Sequence, residues 1–87
     1  MRVISKSGED DIPYELSVFW RDETVIWAII PGFGKIIMAQ YSSQEKAEKA
    51  MQKLHDRYEY IWECTNGFDV YHGIDTVVFC FPQDDEL

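Results

Sequence analysis

The sequence feature that most constrains the fold is a change in hydrophobic period at residue 42. Before this residue, apolar side chains alternate with polar ones or form short β-branched runs, which is typical of strands. After it, Ser42 and Glu45 have the spacing of a helix capping box, with Ser42 as the N-cap. Apolar residues then recur every three or four positions, which predicts one helical face over residues 43–60. That face consists of Ala47, Ala50, Met51, Leu54, Tyr58 and Ile61.

The order of these patterns predicts an α+β fold in which one antiparallel β-sheet of five to six strands carries a single amphipathic α-helix. A β-meander is expected over residues 1–41 and further strands over residues 68–81. Residues 83–87 are expected to form a solvated acidic tail. Because no segment has linker composition, residues 1–87 are predicted to form one domain.

Two predicted strands carry apolar side chains on both faces, and their orientation is predicted from the alternation of these side chains. In Tyr14–Arg21 we expect Val18 and Trp20 to point toward it. Thr76–Phe81 is apolar on both faces and is expected inside the sheet rather than at its edge. The strand residues expected against the helix are Val18, Trp20, Ile26, Ile37, Val77 and Phe79.

The chain is strongly acidic, with 16 acidic and 8 basic residues and a formal net charge of −8. Four of the basic residues, Lys46, Lys49, Lys53 and Arg57, lie on the helix beside an acidic face. They are predicted to form a solvated stripe that pairs locally, as in Glu45–Lys49. Such a chain repels nucleic acid and anionic lipid and is attracted to basic protein surfaces, so we expect neither direct nucleic-acid nor membrane binding.

The acidic residues outside the helix form clusters in the loops and the tail, and they are the candidate protein-binding residues. The alternative interpretation is that these acidic residues only aid solubility. The candidates are Glu9, Asp10, Asp11, Glu15, Asp22, Glu23, Asp84, Asp85 and Glu86.

The sequence predicts no catalytic, cofactor or metal site. Cys64 and Cys80 are expected to be small buried hydrophobes, and with His55 and His72 they lack the spacing of a zinc site. The glycines of Pro31–Lys35 lack the spacing of a phosphate-binding loop, so this segment is interpreted as a hairpin turn. We therefore do not expect an enzyme.

Several sequence segments resemble a family of small phage and prophage proteins of Gram-positive bacteria. They are MRVIS at residues 1–5, DIPYE at 11–15, AQYSS with EKAEKAM at 39–51, and VVFCFPQD at 77–84. They cover about half the chain, in family order. The family carries no assigned activity, so the resemblance implies a viral protein acting in the bacterial cytoplasm but no catalytic residue.

Two functions follow as hypotheses. In the first, a non-enzymatic phage protein inhibits a host defence protein with a basic surface, such as a CRISPR-Cas nuclease, by imitating nucleic acid with its acidic surface; the link to anti-CRISPR proteins is an analogy. In the second, the chain is a small phage structural or accessory module that self-associates, for example as a homodimer, through exposed aromatic side chains with no inhibitory role. The candidates for that contact are Trp27, Phe33 and Trp62.

Overall fold

The computed structural model describes the backbone of residues 1–65 and 78–87, and the side chains of residues 1–60 and 78–87. Its regular elements follow the predicted order of strands, helix and strand. Short 3₁₀ turns at Tyr14–Leu16 and Asp84–Glu86 complete the described chain. The strands are β1 (Arg2–Ile4), β2 (Asp11–Pro13), β3 (Val18–Asp22), β4 (Val25–Ile30), β5 (Gly34–Gln40) and β6 (Val78–Cys80), and the helix is α1 (Gln44–Thr65).

The α+β class is confirmed, but the six described strands divide between two three-stranded sheets. β3, β4 and β5 form the predicted antiparallel meander. β1 instead pairs with β2 on one side and, in parallel, with β6 on the other. The sheets separate after Pro13, which has no N–H to donate and is followed directly by the 3₁₀ turn. The predicted strand at residues 68–71 lies outside the described residues.

Helix α1 begins one residue later than the capping box predicts and extends further, to Thr65. Its first turn is capped by Ser43, whose Oγ accepts a hydrogen bond from the Lys46 N–H at 3.2 Å. Ser42, the predicted N-cap, lies one residue before this cap and is instead near Asp84, whose pKa it helps to lower after the larger effect of Lys6. On the helix surface the predicted Glu45–Lys49 pair is present, with an Nζ–Oε1 distance of 3.3 Å.

The hydrophobic core lies between α1 and the two sheets. The helix presents small residues, Ala47 and Ala50, and one large one, Leu54, all fully buried. The alanines allow the helix backbone to approach the sheet closely. Both sheets contribute to the same core, which therefore joins them into one unit. The strand residues buried in it include Val3, Ile12, Ile26, Ala28, Met38 and Ala39.

The predicted orientation of β3 is wrong. Val18 is 58% exposed, and Trp20 shares its face, turned away from the helix. Phe19 packs against the core instead, and the Arg21 guanidinium lies 3.4 Å from the Glu48 carboxylate on α1. Alternation could not decide this because both faces of the strand carry apolar side chains.

The register of β4 and β5 explains which strand residues face the helix. Ile26 and Ala28 of β4 are fully buried, as expected for Ile26. A bulge in the β4–β5 pairing lets both Met38 and Ala39 reach the core. Ile37, predicted to meet the helix, is therefore on the opposite face and 49% exposed.

Strand β6 alternates as expected but does not occupy the expected position. Phe79 and Phe81 pack into the core, whereas Val78 is exposed. Within the described residues β6 lies at the edge of its sheet, beside β1 only. Cys80 is exposed with a free thiol, so the prediction of a buried cysteine is wrong at this position. Val77 and the side chain of Cys64 lie outside the described residues.

The tight turn between β3 and β4 contains a strained residue, Glu23, with a φ of 53°. A non-glycine residue pays a steric cost there that glycine avoids. We expect Glu23→Gly to raise the free energy of unfolding by about 0.5–1 kcal/mol, measured by urea denaturation. Glu9→Gly, in an exposed loop without positive φ, is the control and should not stabilise. Equal effects at both positions would contradict this explanation.

Candidate protein-binding site

Three acidic segments that are far apart in sequence meet at one end of the β3–β4–β5 sheet. They are the loop at residues 5–10, the β3–β4 turn at residues 22–24 and the C-terminal segment at residues 82–87. Hydrogen bonds from two residues, Lys6 and Tyr41, hold them together. We call this surface the acidic end. Its carboxylates are Glu9, Asp10, Asp22, Glu23, Asp84, Asp85 and Glu86.

Tyr41 contacts all three segments. Its backbone N–H donates to the Thr24 carbonyl in the β3–β4 turn at 2.9 Å. Its hydroxyl donates to the Pro82 carbonyl at 2.8 Å, which fixes the start of the C-terminal segment. The Lys6 Nζ lies 4.5 Å from the centre of its ring, a cation–π contact with the first loop. The side chain is buried, so its position is fixed by packing as well.

Lys6 reinforces this junction. Its Nζ donates to the Gln40 carbonyl at 2.7 Å and lies 3.0 Å from Asp84 Oδ1. Its backbone N–H donates to the Met38 carbonyl, and its own carbonyl accepts from Gln83 Nε2. The hydrogen bond to Lys6 holds the pKa of Asp84 below its usual value. Lys6 thus links the loop at residues 5–10 to the end of β5 and to the C-terminal segment.

The C-terminal segment is not the solvated tail that composition predicts. Asp84–Glu86 form a 3₁₀ turn closed by a capping box, in which Gln83 N–H donates to Glu86 Oε1 at 2.7 Å. Lys46 Nζ donates to the Asp84 carbonyl at 3.0 Å, and Leu87 packs against the core. Asp85 and Glu86 remain exposed. Hydrogen bonds to Pro82 and Asp84 and the packing of Leu87 therefore hold this segment against the rest of the fold.

Two of the nine predicted binding residues do not belong to the acidic end. Asp11 pairs with the Arg2 guanidinium on the neighbouring strand. Glu15 Oε1 lies 2.5 Å from the amino group of Met1, at the opposite end of the β1–β2 hairpin. Their charges are therefore partly neutralised within the fold. The other seven are brought together, and Glu9, Asp10 and Asp85 form no ion pair within the described residues.

Tyr41 also gives the acidic end a pH response. Burial, with Asp84 and Glu86 nearby, raises the pKa of its hydroxyl far above the usual value near 10. Above that value the unfolded chain loses the proton while the folded chain keeps it, so stability falls as pH rises. We expect the free energy of unfolding to fall less steeply between about pH 9 and pH 11 in Tyr41→Phe than in the wild type, by urea denaturation. Equal slopes would contradict the assignment.

No group of three or more His, Cys, Asp or Glu side chains in the described part of the chain is arranged to hold a metal ion. The glycine-containing segment before β5 is a hairpin turn as predicted, with the Phe33 N–H donating to the Ile30 carbonyl. His72 lies outside the described residues. In the same described part, no helix combines the length and apolar character that a membrane span requires.

A second surface of the protein is apolar. It includes Val18, Trp20 and Ile37, which the sequence pattern had placed against the helix. The outer face, on the side of the β3–β4–β5 sheet away from α1, centres on Trp20 and Trp27, whose stacked ring centroids are 6.3 Å apart. Of the aromatics predicted for self-association, Trp27 lies on this face, Phe33 is 84% exposed in the hairpin turn, and the Trp62 side chain is not described. The apolar residues of the outer face are Val18, Trp20, Val25, Trp27, Ile29 and Ile37.

No protein-family model, no curated protein and no solved structure matches the chain. The resemblance to phage proteins therefore stays a prediction, and the functional argument depends on the two surfaces described above.

Proposed function

We propose that the protein is a non-enzymatic binding protein whose acidic end occupies a basic surface on another protein. The observation that carries this proposal is the convergence of three separate segments, which together carry seven carboxylates, at one hydrogen-bonded junction. Acidity that served only solubility needs no such convergence, because dispersed charges keep a chain soluble equally well.

The physical basis of binding is electrostatic steering followed by pairing of fixed carboxylates with arginine and lysine side chains. Because Tyr41 and Lys6 hold the three segments in place, little conformational freedom is lost when a partner binds. All of these carboxylates except that of Asp84 are without an ion pair in the described part of the chain, and among them Glu9, Asp10 and Asp85 need break no contact before they engage a basic group. These are the residues on which affinity should depend most.

The partner class that fits best is a protein whose basic groove binds nucleic acid. A cluster of carboxylates presents to such a groove the negative charge that a phosphate backbone presents. The resemblance to phage proteins favours a bacterial host defence protein, such as a CRISPR-Cas nuclease, in the host cytoplasm. Binding there would exclude nucleic acid and inhibit the host protein without any chemical step.

Competition with DNA tests this proposal. Lysate of a Gram-positive bacterium is passed over immobilised double-stranded DNA at low salt, and the retained proteins are eluted with the purified protein. We expect selective elution of one or a few nucleic-acid-binding proteins, which mass spectrometry then identifies. The variant E9Q/D10N/D85N should elute them at least tenfold less efficiently.

The matched control is E45Q/D56N/E59Q, which removes the same three negative charges from helix α1. It should elute the retained proteins as well as the wild type does. Equal loss in both variants would mean that net charge alone acts, and no elution by the wild type would overturn the proposal.

A further inference from the structure

The outer face of the β3–β4–β5 sheet is a three-by-three array set by strand register. Its first row pairs Val18 with Ile29 and Ile29 with Lys35. The middle row joins Trp20, Trp27 and Ile37, and the last joins Asp22, Val25 and Gln40. The array therefore has an apolar centre and two charged corners, which lie at opposite ends of one diagonal.

An exposed apolar patch bounded by polar groups marks an interaction surface. The outer face is nearly neutral, with one lysine and one aspartate, in a chain of net charge −8. Its basic group, Lys35, already covers the Trp27 ring, with Nζ 4.6 Å from the centroid. A strongly basic partner finds no matching charge here, whereas a second copy brings an equally neutral face and the complementary corner charge.

We infer that the outer face forms a two-fold symmetric homodimer in which the sheets of two copies pack orthogonally, one of the two preferred modes of sheet packing. A two-fold axis along the Val18–Gln40 diagonal exchanges the two remaining corners. Lys35 of each copy then lies on Asp22 of the other, which makes two ion pairs. Forming these ion pairs turns each Lys35 side chain off the Trp27 ring that it covers. Trp27 lies on the axis and can then meet Trp27 of the second copy at the centre.

The size of the face sets the strength of this dimer. Three strands spaced about 4.8 Å apart and five residues long span roughly 14 by 17 Å. Such a footprint is below the roughly 800 Å² per partner of a standard stable interface. The dimer is therefore weak and concentration-dependent, and the folded monomer exists at low concentration.

Sedimentation velocity over a hundredfold concentration range, at low salt, tests the arrangement. The wild type should shift from monomer toward dimer. In the homodimer of Lys35→Asp, both symmetric contacts between residues 35 and 22 become acidic pairs, and in that of Asp22→Lys both become basic pairs. Each variant alone should therefore dimerise at least tenfold more weakly than the wild type. An equimolar mixture of the two restores both opposite pairs in the heterodimer, which should form with about wild-type affinity.

A wild type that stays monomeric throughout the range overturns the inference. A mixture that dimerises no better than its components also overturns the inference, since that result excludes the Lys35–Asp22 pairing.

Trp27→Ala, checked for folding by circular dichroism, should abolish dimerisation through loss of the central contact. The variant E9Q/D10N/D85N should dimerise like the wild type, because Asp22 is the one carboxylate that the acidic end shares with the outer face and it is unchanged in this variant. Loss of dimerisation in that variant would show that Glu9, Asp10 or Asp85 takes part in the dimer contact, which would contradict the proposed arrangement.

Discussion

Leu54→Ala is expected to lower the free energy of unfolding by about 3 kcal/mol, measured by urea denaturation with circular dichroism. Leu54 is fully buried on the helix face that packs against the sheets. Its neighbours on that face, Ala47 and Ala50, are too small to fill the space that truncation leaves. The cavity cost therefore adds to the loss of apolar burial.

Leu16→Ala is the matched control for this prediction, because it removes the same atoms from a side chain that is 67% exposed. We expect it to change the free energy of unfolding by less than about 0.5 kcal/mol. If the two substitutions had similar effects, Leu54 would not occupy the core and the packing of α1 described here would be wrong.

Tyr41→Ala is expected to cost about 3–4 kcal/mol of stability and also to release the C-terminal segment. The substitution removes a buried ring, its hydrogen bond to Pro82 and its contact with Lys6. The released segment should lose protection from amide hydrogen exchange, beginning with the Glu86 and Leu87 N–H groups. Urea denaturation measures the first effect, and exchange monitored by NMR measures the second.

Tyr41→Phe separates the two contributions, because it keeps the ring and removes only the hydroxyl. We expect it to cost about 1 kcal/mol, the usual net value of one hydrogen bond, and to loosen the C-terminal segment only partly. Unchanged exchange protection at residues 86 and 87 in Tyr41→Ala, under conditions where the protein is folded, would show that Tyr41 does not organise the acidic end.

The helix could be predicted from sequence because its apolar side chains from Ala47 to Tyr58 fall on one face. The orientation of β3 could not, since Phe19 and Trp20 are both aromatic and only pairing with β4 decides which is buried. The bulge that exposes Ile37 leaves no local signature either. These failures share one cause, which is that strand faces depend on partners distant in sequence.

The acidic residues could be named from sequence, but not their convergence. The parallel pairing of β6 with β1 is what returns the C-terminal segment to the loop after β1. The residues that hold the junction, Lys6 and Tyr41, carry no motif and were not predicted. Ser42 gave a misleading signal, because two consecutive serines precede the helix and the hydroxyl of the second, Ser43, is the one that caps it.

The most direct test of the acidic end is the salt dependence of binding to a host protein eluted in the DNA competition. Isothermal titration calorimetry over increasing NaCl concentrations should show a steep loss of affinity for the wild type and for E45Q/D56N/E59Q. The variant E9Q/D10N/D85N should bind more weakly at low salt and show a clearly shallower dependence. Identical slopes for all three proteins, or affinity that does not change with salt, would contradict the electrostatic account.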